Sequence, residues 1–356
     1  MKVDYIIVGC GLAGLAFSHR LKEAGKSFVI YDNSSQKSSM VAGGLYNPVM
    51  LKRMTLAWRA DVQLNMARPF YSRLEIELQK NFDHPIPIRR LIHSPEEQNN
   101  WFQACDNPVL KSLLYKDLIK ANHKGFDSPF GLGEVNSTGW IDTRKLIEAY
   151  KKVLKNKNLL RHEPFQHKEM ITTTENIQYN DIISEQVVFA EGFGMKKNPF
   201  FNELPLTGNK GELLTIKAPG LKIDFILKSG IFLIPLGDNL YKAGATYNRE
   251  DKSDLPSERA KKELQKKLSK LLNCDYTIVD HIAGIRPTVK DRRPLVGRHK
   301  KHKNLYILNG FGSRGVLIAP YASEILYNHI ESGEAIPGDM DISRFDQDLG
   351  RASFSS

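Results

Sequence analysis

The sequence predicts an α/β fold, α+β taken as a whole, in which a parallel-sheet domain split along the chain is interleaved with an antiparallel-sheet domain. Three observations carry this. They are a strand–glycine turn–helix–strand unit at the start, a buried apolar strand ending in glycine near residue 190, and a block of short strands between 210 and 245.

The opening unit is the most specific. Tyr5-Ile6-Ile7-Val8 is an apolar strand running into Gly9-Cys10-Gly11-Leu12-Ala13-Gly14. Glycines in this spacing permit a tight turn, a close approach of backbone to a pyrophosphate, and packing of the following helix on the strand. Leu12, Leu15, Ala16 and Leu21 follow at helical spacing, and Gly25 stops the helix. Phe28-Val29-Ile30-Tyr31 then reads as a second strand ending in Asp32, an acid placed to accept from a ribose 2′-hydroxyl, with Asn33 beside it. Together these make a Rossmann-like dinucleotide fingerprint, which by itself suits NAD as well as FAD.

The remaining elements follow in order. After the polar loop from Asn33 to Ser39, Ala42-Gly43-Gly44 lets backbone pass close to a bulky cofactor. A helical pattern covers 54–80, and prolines at 85, 87, 95, 108 and 129 break up 81–139. Asp142 caps a helix carrying Leu146, Ile147, Tyr150, Val153 and Leu154. A hairpin near Glu175-Asn176 leads to Gln186–Ala190 and then Glu191-Gly192, an apolar strand suited to a parallel sheet. The antiparallel block comprises 212–217, 225–227, 231–236 and 240–245, with a turn at Gly237-Asp238-Asn239. Pro256 opens a charged amphipathic helix to Leu272, and the strand 276–283 is closed by Gly284-Ile285-Arg286-Pro287. Last come strand 305–308, a glycine segment, and helix 316–330. The predicted division is therefore a cofactor domain from 1–50, 140–200 and 284–335, a substrate domain from 51–139 and 201–283, and a tail over 336–356.

Composition narrows the class. With 356 residues, 41% of them hydrophobic, the chain can bury a sizeable core. No apolar run approaches the roughly 18 residues of a membrane span, and nothing before Val3 resembles a secretory leader. Three scattered cysteines suit neither a disulfide framework nor a zinc site, so a reducing cytoplasm is expected. The net charge of +11 favours polyanions. Lysines at 151, 152, 155 and 157, and at 261, 262, 266, 267 and 270, read as solvated helix faces, whereas Arg298 to Lys303 is a compact basic loop.

For chemistry, Gly310, Gly312, Ser313, Arg314, Gly315 and Val316 repeat the opening logic of strand, glycines and helix, which would aim a second helix N-terminus at the ligand. Arg286 and Arg314 each stand within two residues of a glycine at the end of a predicted strand, and a guanidinium's planar fork suits a carboxylate. No Ser/His/Asp, Cys/His or metal-ligand set can be assembled. Redox chemistry carried by a cofactor is consistent with that pattern.

These residues resemble the FAD-dependent D-amino acid oxidase, glycine oxidase and sarcosine oxidase superfamily. The resemblance spans nearly the whole chain, through Gly9 to Gly14 with Asp32, Ala42-Gly43-Gly44, Ala190-Glu191-Gly192, Ile234-Pro235, Gly244-Ala245-Thr246, Gly284-Ile285-Arg286-Pro287 and the C-terminal glycines. It implies FAD, with Gly9, Gly11, Leu12, Ala13, Gly14, Asp32 and Asn33 at the adenosine and pyrophosphate end. Gly43, Gly44, Ala190, Gly192 and the segment Gly310 to Val316 fall at the flavin end. It implies Arg286 as the carboxylate-binding arginine, Arg314 as a second cation and Tyr247 as a pocket wall. No cysteine matches the covalent flavin attachment of sarcosine oxidases, so the FAD is expected to be noncovalent.

Within the superfamily, Gly139-Trp140, Lys210-Gly211, Gly244 to Arg249, Asp291 to Gly297 and Gly312-Ser313-Arg314-Gly315 with Ala319-Pro320 are similar to the oxidase half of a bifunctional tRNA 5-methylaminomethyl-2-thiouridine biosynthesis enzyme. The methyltransferase half has no counterpart here. The substrate implied is a glycine-like secondary amine, with carboxymethylaminomethyl-uridine in tRNA as one candidate. Free glycine, sarcosine or a D-amino acid, and a nucleic-acid-binding flavoprotein without turnover, are the alternatives.

Overall fold

The computed structural model describes residues 1–120 and 122–346. The opening strand Lys2–Val8 lies in the middle of an eight-stranded sheet. It pairs in parallel with Phe28–Tyr31 on one side and with Ile182–Phe189 on the other, and Leu305–Asn309 continues the parallel order. These strands are apolar on both faces because both faces are covered. One face packs on the helices Leu12–Glu23, Thr143–Asn156 and Gly315–Ser332 through Leu15, Phe17, Leu146 and Leu326. The other packs on Phe165, Tyr179, Met195 and Phe201.

The second sheet has seven strands in the order Thr277–Val289, Leu206–Lys217, Leu240–Gly244, Phe232–Gly237, Ile226–Lys228, Ile88–Leu91 and Leu132–Val135. All neighbours are antiparallel except Ile226–Lys228 with Ile88–Leu91. The helix Glu258–Leu271, capped by Ser257 Oγ, covers it by burying Leu264 and Leu268. Each such leucine is worth about 1.5–3 kcal/mol of removed apolar surface.

Several sequence expectations are met closely. Asp142 Oδ1 accepts from Lys145 N at 3.1 Å, capping Thr143–Asn156, and the hairpin near Glu175 joins Ile171–Thr172 to Ile177–Tyr179. Others need correction. The helix expected over 54–80 is Ala60–Leu78, because Thr55–Leu56 is spent on a hairpin with Val49–Met50. That helix packs on Gly315–Ser332, against the parallel sheet.

The strand expected to close at Gly284 runs on to Val289, so Arg286 is not at a strand end but inside a strand, opposite Asn209. Gly284 and Pro287 look like terminators in isolation. Here the strand carries both because its partner Leu206–Lys217 is long enough to pair past them. Of the expected tail, Ile336 and Met340 are buried in the core, and 347–356 lies outside the described residues. Among the described residues, no helix is long and apolar enough to cross a membrane.

Candidate active site

A cleft of about 1140 Å³ opens between the carboxyl ends of the parallel strands and the face of the antiparallel sheet. This is where open α/β sheets bind ligands. Gly9, Gly11, Leu12 and Ala13 line it. Gly9 has φ +102°, and a Cβ there would stand 2.5 Å from Ala190 O, so the turn admits only glycine. Gly14 does not line the cleft. A Cβ on it would lie 1.9 Å from Gly9 O, which makes it the residue that lets the helix approach the turn.

The helix Leu12–Glu23 begins with no side-chain cap and no acid in its first turn, and Leu12 N donates to Ser39 Oγ at 3.1 Å. Asp32 lines the cleft in an ion pair with Lys151, which also donates to Ser34 Oγ at 3.1 Å. Lys151 is therefore not the solvated-face lysine its helix position suggested. A carboxylate has about four lone-pair sites, so Asp32 keeps capacity for a ribose hydroxyl.

Asn33, Gly43, Gly44, Ala190 and Gly192 also line the cleft. Gly44 has φ +70°, and a Cβ on it would meet Ile141 O at 1.9 Å. Asn309 Nδ2 donates to Gly192 O at 2.9 Å, tying two of the sequence-predicted segments together. Gly312, Ser313, Arg314, Gly315 and Val316 line the far end. Gly310, with φ +80°, is packed against Val289 and Leu295 behind it and is absent from the lining. The helix Gly315–Ser332 also starts with no side-chain cap and no acid in its first turn. Two helix N-termini whose own N-cap residues supply no side-chain cap thus meet one glycine-lined cleft, where their remaining N–H groups and helix dipoles favour an anion. The residues present fit a dinucleotide such as FAD.

Arg286 projects from the strand Thr277–Val289 across Gly211, whose missing Cβ would lie 1.9–2.2 Å from the guanidinium. Its Nη1 donates to Thr246 O at 3.3 Å, and its Cζ lies 4.7 Å from the ring centroid of Tyr247, which is otherwise exposed. Burial pulls its pKa below the ordinary arginine range. Arg314 donates from Nη2 to Asn47 O at 2.7 Å, reaches Met50 Sδ at 3.3 Å, and holds Nε buried without a partner. Burial alone lowers its pKa to about 10. Among the described residues, no carboxylate pairs with either guanidinium. Two half-buried cations therefore face the cleft with only neutral partners.

The loop that carries Tyr247 is anchored from below. Lys210, 1% exposed, sends Nζ to Asp251 Oδ2 at 2.7 Å, to Ser253 Oγ at 3.1 Å and to Leu255 O. Glu212 accepts from Ser257 N and Ser257 Oγ at 2.7 Å each, and its Oε2 lies 2.9 Å from His281 Nε2. The sequence showed Lys210-Gly211 only as part of a resemblance. What the pair does depends on cross-strand register, which local pattern does not carry.

His299 and His302, expected to add to the basic loop, instead turn their rings onto Phe200 and Phe201 and do not line the cleft. Among the described residues no group of three His, Cys, Asp or Glu could hold a metal ion.

Residues 4–328 match the model of the DAO family of FAD dependent oxidoreductases. The chain belongs to this family. FAD is accordingly its cofactor, and when bound it would supply the redox chemistry. Among curated relatives of this DAO-family chain is the tRNA 5-methylaminomethyl-2-thiouridine biosynthesis bifunctional protein MnmC of Legionella pneumophila (strain Corby). It is 23% identical over 362 aligned positions, covering 90% of this chain and 53% of that protein. Glycine oxidase of Bacillus subtilis (strain 168) is 24% identical over 362 positions, covering 94% of this chain and 95% of that one. The chain thus spans about half the length of the bifunctional relative.

Among solved structures, glycine oxidase from Bacillus cereus ATCC 14579 superposes with TM-score 0.76 at 19% identity, covering 94% of this chain and 96% of that chain. Iminodiacetate oxidase from Chelativorans sp. BNC1 does so with TM-score 0.75 at 17% identity, covering 94% and 97%. These likenesses establish the fold.

Proposed function

We propose that this FAD-dependent oxidoreductase oxidises the C–N bond of a glycine-like secondary amine. The observation that carries the reading is that the guanidiniums of Arg286 and Arg314 both line the cleft, half-buried, with no carboxylate of their own. A buried cation without a counter-ion is costly, and an incoming carboxylate supplies the missing partner. Arg286 would take the substrate carboxylate through its planar fork, Arg314 would add a second positive charge, and the Tyr247 ring would bound the pocket.

Gly9 to Ala13, Asp32 and Asn33 would hold the adenosine and pyrophosphate part of a noncovalent FAD, with Gly14 letting the helix approach the turn. Gly43, Gly44, Ala190, Gly192 and Gly312 to Val316 would border the rest, with Gly310 shaping the turn behind them. When bound, FAD supplies the two-electron acceptor that C–N oxidation requires. In this reading the segments 1–50, 140–200 and 284–335 chiefly serve the cofactor and 51–139 and 201–283 the substrate. The exceptions are Arg286 and Arg314, which reach the substrate from the cofactor segments, and the helix Ala60–Leu78, which packs on the parallel-sheet side.

For the substrate we favour a carboxymethylaminomethyl group on a tRNA uridine. It combines the carboxylate and secondary amine that the cleft accommodates with a polyanion that a chain of net charge +11 attracts. Free glycine is the second reading, supported by a glycine oxidase relative matched over 95% of its length.

Mixing the FAD-loaded protein anaerobically with hypomodified tRNA, glycine, sarcosine and D-alanine, and following flavin bleaching, separates the readings. Bleaching by tRNA is expected. Bleaching by glycine or sarcosine with tRNA inert overturns the tRNA substrate, and no bleaching by any of them overturns amine oxidation.

A further inference from the structure

We infer that the outer wall of the cleft is a subsite for a phosphate group, formed by Lys228, Lys267 and Lys52. The inference rests on the amine-oxidising reading only for which end of the substrate faces this wall.

Charge is distributed unevenly over the cleft. The carboxylates that line it are Asp32, Glu163, Glu191 and Asp254. Asp32 is paired with Lys151, Glu191 with His167 at 2.9 Å, and Asp254 with Lys37 at 2.8 Å. The wall made by Met50 to Lys52, Ile226, Lys228, Phe232 and Lys267 contains no acid.

The fold fixes these lysines in place. Lys228 ends the strand Ile226–Lys228, opposite Phe232 on one neighbour and Arg90 on the other. Phe232 packs its ring against Gly43, so Lys228 stands one strand away from the backbone that borders the cofactor region. Arg90 is bound to Glu97 at 3.4 Å and donates to Leu51 O, which pins Lys52 to the same wall. Lys267 comes from the covering helix and meets Glu263 at 2.7 Å, an exposed i,i+4 pair of small worth.

Among the described residues, neither Lys228 nor Lys52 has a carboxylate or a hydrogen-bond acceptor. Burial first, then Lys267 and Arg90, push the Lys228 ammonium down to about 8, the direction expected of a cation that lacks an anion. Lysine binds phosphate as a compact point charge, and a dianion here would neutralise charges that now repel.

The test is binding of inorganic phosphate to the FAD-loaded protein by calorimetry, which needs no turnover and so can fail separately from flavin bleaching. Wild type and Arg286→Ala should both bind phosphate, Lys228→Gln and Lys267→Gln should each bind about tenfold more weakly or worse, and Lys228→Arg should retain affinity. Three outcomes overturn the subsite: no uptake by wild type, Lys228→Gln equal to wild type, or loss through Arg286→Ala alone.

A second arm titrates an oligoribonucleotide at several salt concentrations. If the phosphate belongs to a nucleic-acid backbone, Lys228→Gln reduces the salt slope by about 1. If the slope is unchanged while phosphate binding is lost, the subsite serves a small phosphate-bearing amine.

Discussion

A methyl group at Gly211 would stand 1.9–2.2 Å from the guanidinium of Arg286, so Gly211→Ala has to displace that side chain. The atoms it meets are the far end of a flexible arginine, and the backbone around it can stay where it is. The expected result is a KM for the carboxylate substrate raised about tenfold or more, as for loss of a charge-assisted contact, with the thermal midpoint little changed. An unaltered KM would mean that Arg286 does not hold the substrate from this position.

At the residue scale the sequence exposed what local pattern encodes. The turn glycines at 9, 11 and 14 lie in an unbroken strand–turn–helix unit, Arg286 follows Gly284 by two residues, and Arg314 stands beside Gly315. Gly211, Lys151 and Lys228 were not legible as cleft residues. Each acquires its place from a neighbour that is distant in sequence: Arg286 for Gly211, Asp32 for Lys151, and the cleft wall itself for Lys228.

Among the elements, the loop from Ala245 to Ser257 is held down by a buried polar network rather than by apolar packing. Its cation, Lys210, sits under the loop, while Leu255 and Tyr247 on top of it are exposed. The Lys210 ammonium first, then Ser253, hold the Asp251 carboxyl at about 2, well below its unfolded value near 4. A depressed carboxylate contributes stability above its unfolded pKa and loses it as pH falls through the folded value. Acid should therefore loosen this loop between about pH 4 and about 2.

Hydrogen exchange of the amides over 245–257 is the measurement, with Asp251→Asn as the control in which the acid-dependent part disappears. The same pH response in both proteins would remove Asp251 from the account. The strand order was only partly legible at this scale. Strand-forming runs and turn residues located the strands between 212 and 245, but the first of them starts six residues earlier, at Leu206, and Gly284 and Pro287 read as an ending, since local composition says nothing about how far a partner strand extends.

For the whole molecule, an excess of 11 positive charges acts at distances where individual contacts do not. If tRNA is the substrate, the logarithm of its affinity should fall linearly with the logarithm of salt concentration, each phosphate contact adding about 0.7–0.9 to the slope. Flavin reduction by a small zwitterion should change far less over the same range. A tRNA affinity indifferent to salt would sink the polyanion reading. Fold class was readable because parallel strands covered on both faces leave unbroken apolar runs, and such runs survive in any single sequence.

The long pairing of Leu206–Lys217 with Thr277–Val289 ties the two sheets into one solid. At one end Leu206 and Val289 are sunk in the core of the parallel sheet, and at the other Leu214 and Ile216 lie in the core of the antiparallel one. To part the jaws of the cleft, a hinge would have to bend this strand pair, whose one irregularity lies between Thr215 and Ile216. With the jaws as they stand, a reacting group would have to slide in between them. A nucleotide in a folded RNA meets that condition only by swinging its base out of the stack, at a cost of a few kcal/mol borne by the RNA. Unstacked or hypomodified loop positions would be selected on that ground before any atom of the base is read.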